Sequence, residues 1–456
     1  MRPLPHRAAG KTFRARFLFI PFAVVVLVVV PARAQRFVAE TFFLDNGMQV
    51  VVAPNHRAPA VTQMVWYKVG AADDPVGKSG LAHFLEHLMF KGTKTAAPGA
   101  FAAAISRHGG RDNAFTTPDY TTYYETVARD RLDLVMRLEA DRMTGLVLDD
   151  AVVLPERDVV LEERRSRIDN DPAALLAEQL RATLFLHHPY RNPDIGWENE
   201  IRDLGTADAI AFYHRWYAPN NAILVIAGDV TADEVLPLAE RYFAPIPARP
   251  LPERSRVGEP PHHAASRLEL KDARAAQPRW SRSYLATSYR GGDTSEAYAL
   301  QLLADIIGGG AGARLYKSLV LDRGLALSAG AAYSAGALDL SSFRIWAMPK
   351  GDVPVSDLEA AVEAELQRLT RDGIGPDEVR RAAERMQSAS VYAQDSLSGP
   401  ANIIGAGLAI GQSLDEIQSW PERIGAVVPA GIDAAARSIF VERNSTTAVL
   451  LPVRGS

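Results

Sequence analysis

Cysteine does not occur among the 456 residues. Disulfides and a lipid attached to an N-terminal cysteine are thereby excluded, and burial of apolar surface alone must hold the fold. Long apolar runs are almost as scarce. Residues 17–30 form one of 14, short of the roughly 20 that a spanning helix needs, and Pro21 interrupts it. No later run is long enough to cross a bilayer, so no stable membrane span is expected once that segment is removed. An excess of positive charge is missing too: 50 Lys and Arg stand against 54 Asp and Glu. That balance argues against nucleic acid as a partner and mildly favours a basic or neutral ligand.

The first segment that is informative by its presence is the front of the chain. Arg2, Arg7, Lys11, Arg14 and Arg16 precede the apolar run, and Ala32-Arg33-Ala34 follows it. This is the layout of a secretory signal peptide, residues 1–34, cleaved before Gln35, and it implies a periplasmic or secreted protein. The expected mature chain has 422 residues with 44 basic and 54 acidic side chains, a net charge of 44 − 54 = −10. At that length, and with 47% hydrophobic residues overall, two or more compact domains are expected.

Residues 41–44 and 48–53 flank Asp45-Asn46-Gly47, an Asn-Gly signal for a hairpin. A third strand is expected over 61–69, a helix over 100–107, a turn at Gly109-Gly110, and a β-rich stretch from Asn113 to Val127. Helical patterns run over 129–145 and 153–186, and 222–227 reads as a buried strand. Mixed elements without strict βαβ alternation indicate an α+β class with largely antiparallel sheets. Residues 244–263 are proline-rich and read as a linker between a first domain, 35–243, and a second, 264–456. After the linker the pattern restarts, with a strand over 280–289 resembling 61–69 and a helix over 297–307.

The chemistry concentrates in Ser79-Gly-Leu-Ala-His-Phe-Leu-Glu-His-Leu-Met-Phe-Lys91. Its apolar spacing predicts a helix, capped by Ser79 and ended by Gly92. On such a helix His83 and His87 share a face and can reach one metal ion, while Glu86 lies beside them as a general base. In the second half, setting Leu303 against Leu85 places Gln301, Ala304 and Asp305 where the first half has His83, Glu86 and His87. The second copy therefore keeps the scaffold without the metal chemistry.

A catalytic zinc needs a third protein ligand and an open position. The best source is the amphipathic stretch 154–167, read as a helix starting at Pro155, where Glu156 and Glu163 stand seven apart on one face with Val159 and Val160. The competing reading pairs Glu156, Glu162 and Glu163 with Arg157, Arg164 and Arg167 on a solvated face. From the residues alone, only the need for a ligand raises Glu163.

Together these segments resemble the pitrilysin-type, inverted-zincin metallopeptidases, in particular bacterial exported homologues of the mitochondrial processing peptidase. The resemblance rests on His83-Phe-Leu-Glu-His87-Leu-Met-Phe-Lys-Gly-Thr93, Gly110-Arg-Asp-Asn-Ala-Phe-Thr-Thr117 with Tyr123, Glu156-Arg-Asp-Val-Val-Leu-Glu-Glu163, and Trp216-Tyr-Ala-Pro-Asn-Asn-Ala222 leading to Gly228-Asp229. It implies two similar domains, one zinc ion per chain held by His83, His87 and Glu163, Glu86 as catalytic base, and Glu156 as an outer acid tuning the site. A flexible or unfolded peptide would lie as an extended strand beside Asn113, Ala114 and Phe115.

One segment departs from the pattern. The family commonly carries Leu-x-Arg-x-x-Gly-Leu-Ala-Tyr in the second domain, its Arg and Tyr donating to the substrate, whereas here Leu321 and Leu327 occupy those places. Arg314, Arg323 and Tyr333 are off register. The resemblance thus implies the zinc-bearing member of a two-chain enzyme, a heterodimer with a homologous subunit carrying the Arg and Tyr, or else a homodimer. The alternative is a non-catalytic peptide-binding or assembly subunit on the same fold.

Overall fold

The computed structural model describes residues 38–254 and 256–453, and the expected leader lies outside them. The first half builds a sheet from β1 (Glu40–Phe43), β2 (Gln49–Pro54), β3 (Ala60–Tyr67), β4 (Arg111–Thr116), β5 (Thr121–Ala128) and β6 (Ala222–Gly228), in the order β1-β2-β6-β3-β5-β4. The second half builds one from β7 (Ser266–Asp272), β8 (Arg279–Ala286), β9 (Ala326–Tyr333), β10 (Ser341–Pro349) and β11 (Ser445–Pro452), in the order β7-β11-β8-β10-β9. Without β1 the two orders are the same. In each sheet one pair is parallel, β2 with β6 and β7 with β11, and the other ladders are antiparallel.

The helices repeat as well. After β3 come α1 (Leu81–Leu88) and α2 (Ala100–Arg107), and after β5 come α3 (Leu132–Gly145), α4 (Asp150–Arg164) and α5 (Pro172–Leu184). In the second half Ala297–Gly308 stands in the place of α1, and Val355–Asp372, Pro376–Asp395 and Gly399–Ala409 repeat α3, α4 and α5. The repeat expected from order and spacing is thus a repeat of topology.

Each half packs its own helices on one face of its own sheet. In the first, Val50, Val52, Val61, Val65, Leu224 and Ile226 meet the apolar sides of α1 to α4. The opposite faces are covered by exchange. Ala401, Ile404 and Leu408 of helix Gly399–Ala409 pack on Val51, Met64, Trp66, Ile223 and Val225 of the first sheet. Reciprocally, Leu176 and Leu180 of α5 pack on Ala448 and Leu450 of β11 in the second. Burial on both faces explains why β6 reads as an unbroken apolar run without alternation. The approach is close: a Cβ on Gly405 would stand 2.0 Å from the Trp66 indole nitrogen.

Three local expectations are corrected. Ser79 does not cap α1; Asp74 does, accepting from the backbone N–H groups of Gly80 and Ala82, both at 2.8 Å, while Ser79 Oγ accepts from Trp197 N at 3.0 Å. Gly80 precedes the helix with φ of 86°, a conformation that orients the incoming chain away from a Ser79 cap, and α1 ends at Leu88, ahead of Gly92. The helix carrying Glu163 starts at Asp150 instead of Pro155, because Asp149 accepts from Val152 N at 3.0 Å and fixes the first turn. The pattern over 153–186 breaks at Asp171-Pro172, where Asp171 caps α5 through Ala173 N at 2.8 Å and the proline disfavours helical backbone before it.

Between Tyr242 and Ser266 the described residues form no helix or strand, yet the segment is pinned. Buried Arg256 bridges Asp73 and Asp119 of the first half to Asp339 of the second. Arg254 adds a pair with Asp73 at 2.6 Å, and the Glu259 carboxylate accepts from the backbone N–H groups of Leu186, His187 and His188.

The exchange makes each half's core depend on the other. Leu180→Ala, at the α5 contact, should cost about 2–5 kcal/mol. Denaturant unfolding followed by both fluorescence and circular dichroism should keep a single coincident transition; two separated transitions would show independently stable halves.

Candidate metal centre

On α1, His83 and His87 are one turn apart, and α4 crosses so that Glu163 reaches both. Glu163 Oε2 lies 3.2 Å from His87 Nε2 and 3.7 Å from His83 Nε2. Tetrahedral ligands about 2.0–2.1 Å from a zinc ion are about 3.3 Å apart, so these three atoms fit one ion. Among the described residues they form the group of His and acidic side chains suited to hold a metal. Glu162, next in sequence, points to solvent and pairs with Arg165 at 3.0 Å.

The other ring nitrogen of His87 is 2.9 Å from Glu156 Oε1, which fixes the ring so that Nε2 faces the centre. Lys91, a residue not singled out in the sequence, holds the second oxygen of Glu156 at 2.5 Å. Lys91 lies just past the end of α1, three residues beyond Leu88, so helical spacing does not announce the contact. Burial opposes charge on His87, but its bonds to Glu156 and Glu163 outweigh that and push it up to about 9. His83 is held down to about 4, by burial and then by the charge of His87. Glu163 sits below its ordinary range, first through its bond to His87, and Glu156 is lowered too because His87 and Lys91 overcome its burial.

Glu86 is buried beside the pair and hydrogen-bonds neither ring. Burial raises it to about 6, and Thr116 Oγ1 donates to its Oε2 at 2.5 Å. Thr116 ends β4, whose outer edge is unpaired in the described sheet order. Asn113, Ala114 and Phe115 lie on that strand. Phe115 packs against Trp66, Tyr120 and Tyr124, and Asn113 Oδ1 accepts from Ala114 N at 2.9 Å, so what β4 offers outward is its backbone. His83 and Thr116 open into a cavity of ≈ 440 Å³ also lined by Arg167, which pairs with Glu163 Oε1 at 2.7 Å.

The corresponding place in the second half is filled by structural bonds. Gln301 donates to Tyr289 and accepts from Trp420, Ala304 is buried, and Asp305 pairs with Arg385. Leu321 and Leu327 are 62% and 44% exposed. Arg314 is held by Glu378 and the Gly373 carbonyl, and Tyr333 Oη donates to Thr287 O at 2.7 Å.

Comparison with known sequences agrees with this division. Residues 49–196, which contain the metal cluster, match the family described as insulinase, peptidase family M16, and residues 203–386 match the peptidase M16 inactive domain. An uncharacterized zinc protease of Mycobacterium tuberculosis is 32% identical over 88% of this chain and 90% of its own length. The chain belongs to peptidase family M16. Zinc protease PqqE of Helicobacter pylori is 29% identical over 91% of this chain and 93% of that protein. Among solved structures, a protease from Helicobacter pylori superposes with a TM-score of 0.85 at 28% identity, covering 91% of this chain and all of that one. The periplasmic protease PqqL of Escherichia coli shares the M16 fold, with a TM-score of 0.78 at 18% identity over 91% of this chain and 48% of that one.

The M16 relatives are named as zinc proteases, and the charge on His87 sets how zinc affinity should vary with pH. Because His87 keeps its proton to about pH 9 without metal, whereas His83 has lost its own above about 4, zinc must displace one proton. Affinity should therefore rise about tenfold per pH unit from about pH 5 to about 9 and then level off, as read by competition with a chromophoric chelator. In the same titration Glu163→Gln should weaken binding sharply and Glu162→Gln should leave it nearly unchanged. Equal effects would show that the helix register argued for α4 is wrong.

Proposed function

We propose that the chain is an exported zinc metalloendopeptidase, periplasmic or secreted, that cleaves flexible or unfolded peptides as the catalytic subunit of a two-chain enzyme. The observation that carries this reading is the convergence of His83, His87 and Glu163 with Glu86 adjacent and free of a ligand role. His83, His87 and Glu163 would hold one zinc ion, which would supply Lewis acidity towards water and a peptide carbonyl. Glu86, raised to about 6, takes the proton of the attacking water and returns it to the leaving amine. Thr116 holds one carboxylate oxygen and leaves the other for that transfer. The free edge of β4 aligns an extended backbone with little demand on side chains, which favours unfolded substrates. Glu156 and Lys91 hold the His87 ring.

Support for the two-chain reading comes from what is missing. Leu321 and Leu327 cannot donate hydrogen bonds, Arg314 and Tyr333 are already engaged, and the two exposed leucines offer apolar surface for a partner to cover. The periplasmic relative and the layout of residues 1–34 support export, and no described helix is long and apolar enough to cross a membrane.

Glu86→Gln should retain zinc while lowering cleavage of an unstructured peptide by about 10²- to 10⁴-fold. The wild-type chain alone should cleave slowly and gain at least about tenfold on mixing with a homologous subunit carrying the Arg and Tyr, since one such donor is worth about 10²- to 10³-fold. Full activity that survives dilution to the monomer would exclude the shared site. Peptide binding without cleavage, even with that subunit present, would make the chain a binding subunit.

A further inference from the structure

On the second sheet the exchanged helix covers less than its counterpart does on the first. α5 packs on β11 and β7, so the same face of β8, β10 and β9 stays open as the floor of a cavity of ≈ 650 Å³ walled by α5. In the first sheet the residues on this face are Met64, Trp66 and Tyr124, sealed in an apolar cluster. Here they are polar. Ser281 and Ser283 of β8 and Ser342 of β10 line the floor, and with them stand two arginines, Arg279 on β8 and Arg344 on β10.

Antiparallel pairing sets Arg344 opposite Ser283 and Trp346 opposite Ser281, so these side chains and Arg279 share one face. Neither guanidinium has a hydrogen bond or ion pair among the described residues. Arg282, between Ser281 and Ser283 on the other face, has Glu359 and Glu363. Arg344 reaches solvent, yet the partial loss of water around it, and after that the charge of Arg279, holds it below the ordinary guanidinium range. Two like charges lining one cavity repel each other, and an anion bound in that cavity relieves the repulsion, each guanidinium being able to offer it planar, paired hydrogen bonds.

Trp346 also forms part of the floor. Trp346 stands opposite Gly330 of β9, where a Cβ would come within 2.3 Å of the indole, so the glycine gives the ring room across the edge strand. The cavity also lies beside the one on the metal side. Ala177 and Arg181 of α5 line both this cavity and the one that opens at His83 and Thr116. Arg181 is itself engaged by Asp194 and the Tyr190 carbonyl, which leaves Arg279 and Arg344 as the free cations.

We propose that Arg279 and Arg344 form an anion subsite that binds a carboxylate of a peptide running along α5 from the metal centre, either its C-terminal carboxylate or an Asp or Glu side chain. The inference deepens the peptidase reading and rests on it. The subsite gives a backbone-reading enzyme a preference for acidic peptides, at a point remote from the bond that is cut.

Binding tests it apart from catalysis. The zinc-loaded Glu86→Gln chain is titrated into fluorescein-labelled, unstructured, otherwise uncharged peptides: free acid, C-terminal amide, and amides carrying one Glu or one Gln. The free acid, the Glu peptide or both should bind about tenfold tighter than the amide and Gln controls, and the difference should shrink as salt is raised. Preference for the free acid alone identifies a terminal carboxylate, and preference for Glu identifies an internal one. In Arg279→Gln/Arg344→Gln the difference should vanish, and Arg344→Glu should turn the preference towards a Lys peptide. Equal affinities for all four peptides, or a preference that survives the double substitution, would overturn the subsite. If no peptide binds, the subsite fails; if the wild-type chain with its partner also cleaves none, the peptidase reading fails as well. Cleavage of neutral peptides without an acidic preference sinks the subsite alone.

Discussion

Each sheet has a second face that its own helices do not cover, and the rest of the molecule follows from that shortage. α5 must leave its own half to bury Leu176 and Leu180 on β11, just as Gly399–Ala409 must leave the other to bury Ile404 and Leu408 on the first sheet. Neither helix can be withdrawn without exposing a sheet face to water, at a cost that scales with the apolar area uncovered. The exchange also reaches the chemistry. α4 ends one residue after Glu163, and α5 begins eight residues further on, so the helix that carries the proposed third ligand packs on α1 and leads directly into the helix seated on the second sheet.

The metal centre uses that anchoring to hold opposed charges in order. Its two histidines share a turn yet are pushed in opposite directions, His83 towards neutrality by burial and His87 towards charge by two carboxylates. Glu156, itself held by Lys91, orients the His87 ring, while Glu86 is kept aside by Thr116. The proposed base and the outer carboxylate thus differ in environment: Glu86 is raised because burial dominates, and Glu156 is lowered because its two cationic partners do.

Much of this was legible in the chain. The period of α1, the buried run of β6 and the Asn-Gly hairpin are local signals, and the segments around His83 and Glu163 carry the family resemblance. What was not legible depends on residues brought from afar. Nothing near Ser79 announces that Trp197 takes its hydroxyl and that Asp74 caps α1 in its place. The start of α4 was misplaced because Pro155 favours a first turn, whereas the structure accepts it inside a helix that Asp149 had already begun. The proline-rich stretch after Tyr242 gives no sign of the carboxylates that clamp Arg254 and Arg256, since Asp73, Asp119 and Asp339 come from three separate loops. That Arg279 and Arg344 share one face of the sheet needed the register of β8 against β10, which sequence does not supply.

The exchanged helices also bear on how such a chain could arise. A lone half would carry a sheet with one bare face and a helix with no surface to bury itself on, and a second copy of the same half satisfies both needs at once. A swapped homodimer is therefore the smallest self-sufficient form of this architecture, and joining its two copies end to end adds a connection without altering a single contact. Once fused, the copies are released from identity. One carries His83, Glu86 and His87, and the other is free to hold Gln301, Ala304 and Asp305 in their places and to trade an apolar sheet face for serines and arginines.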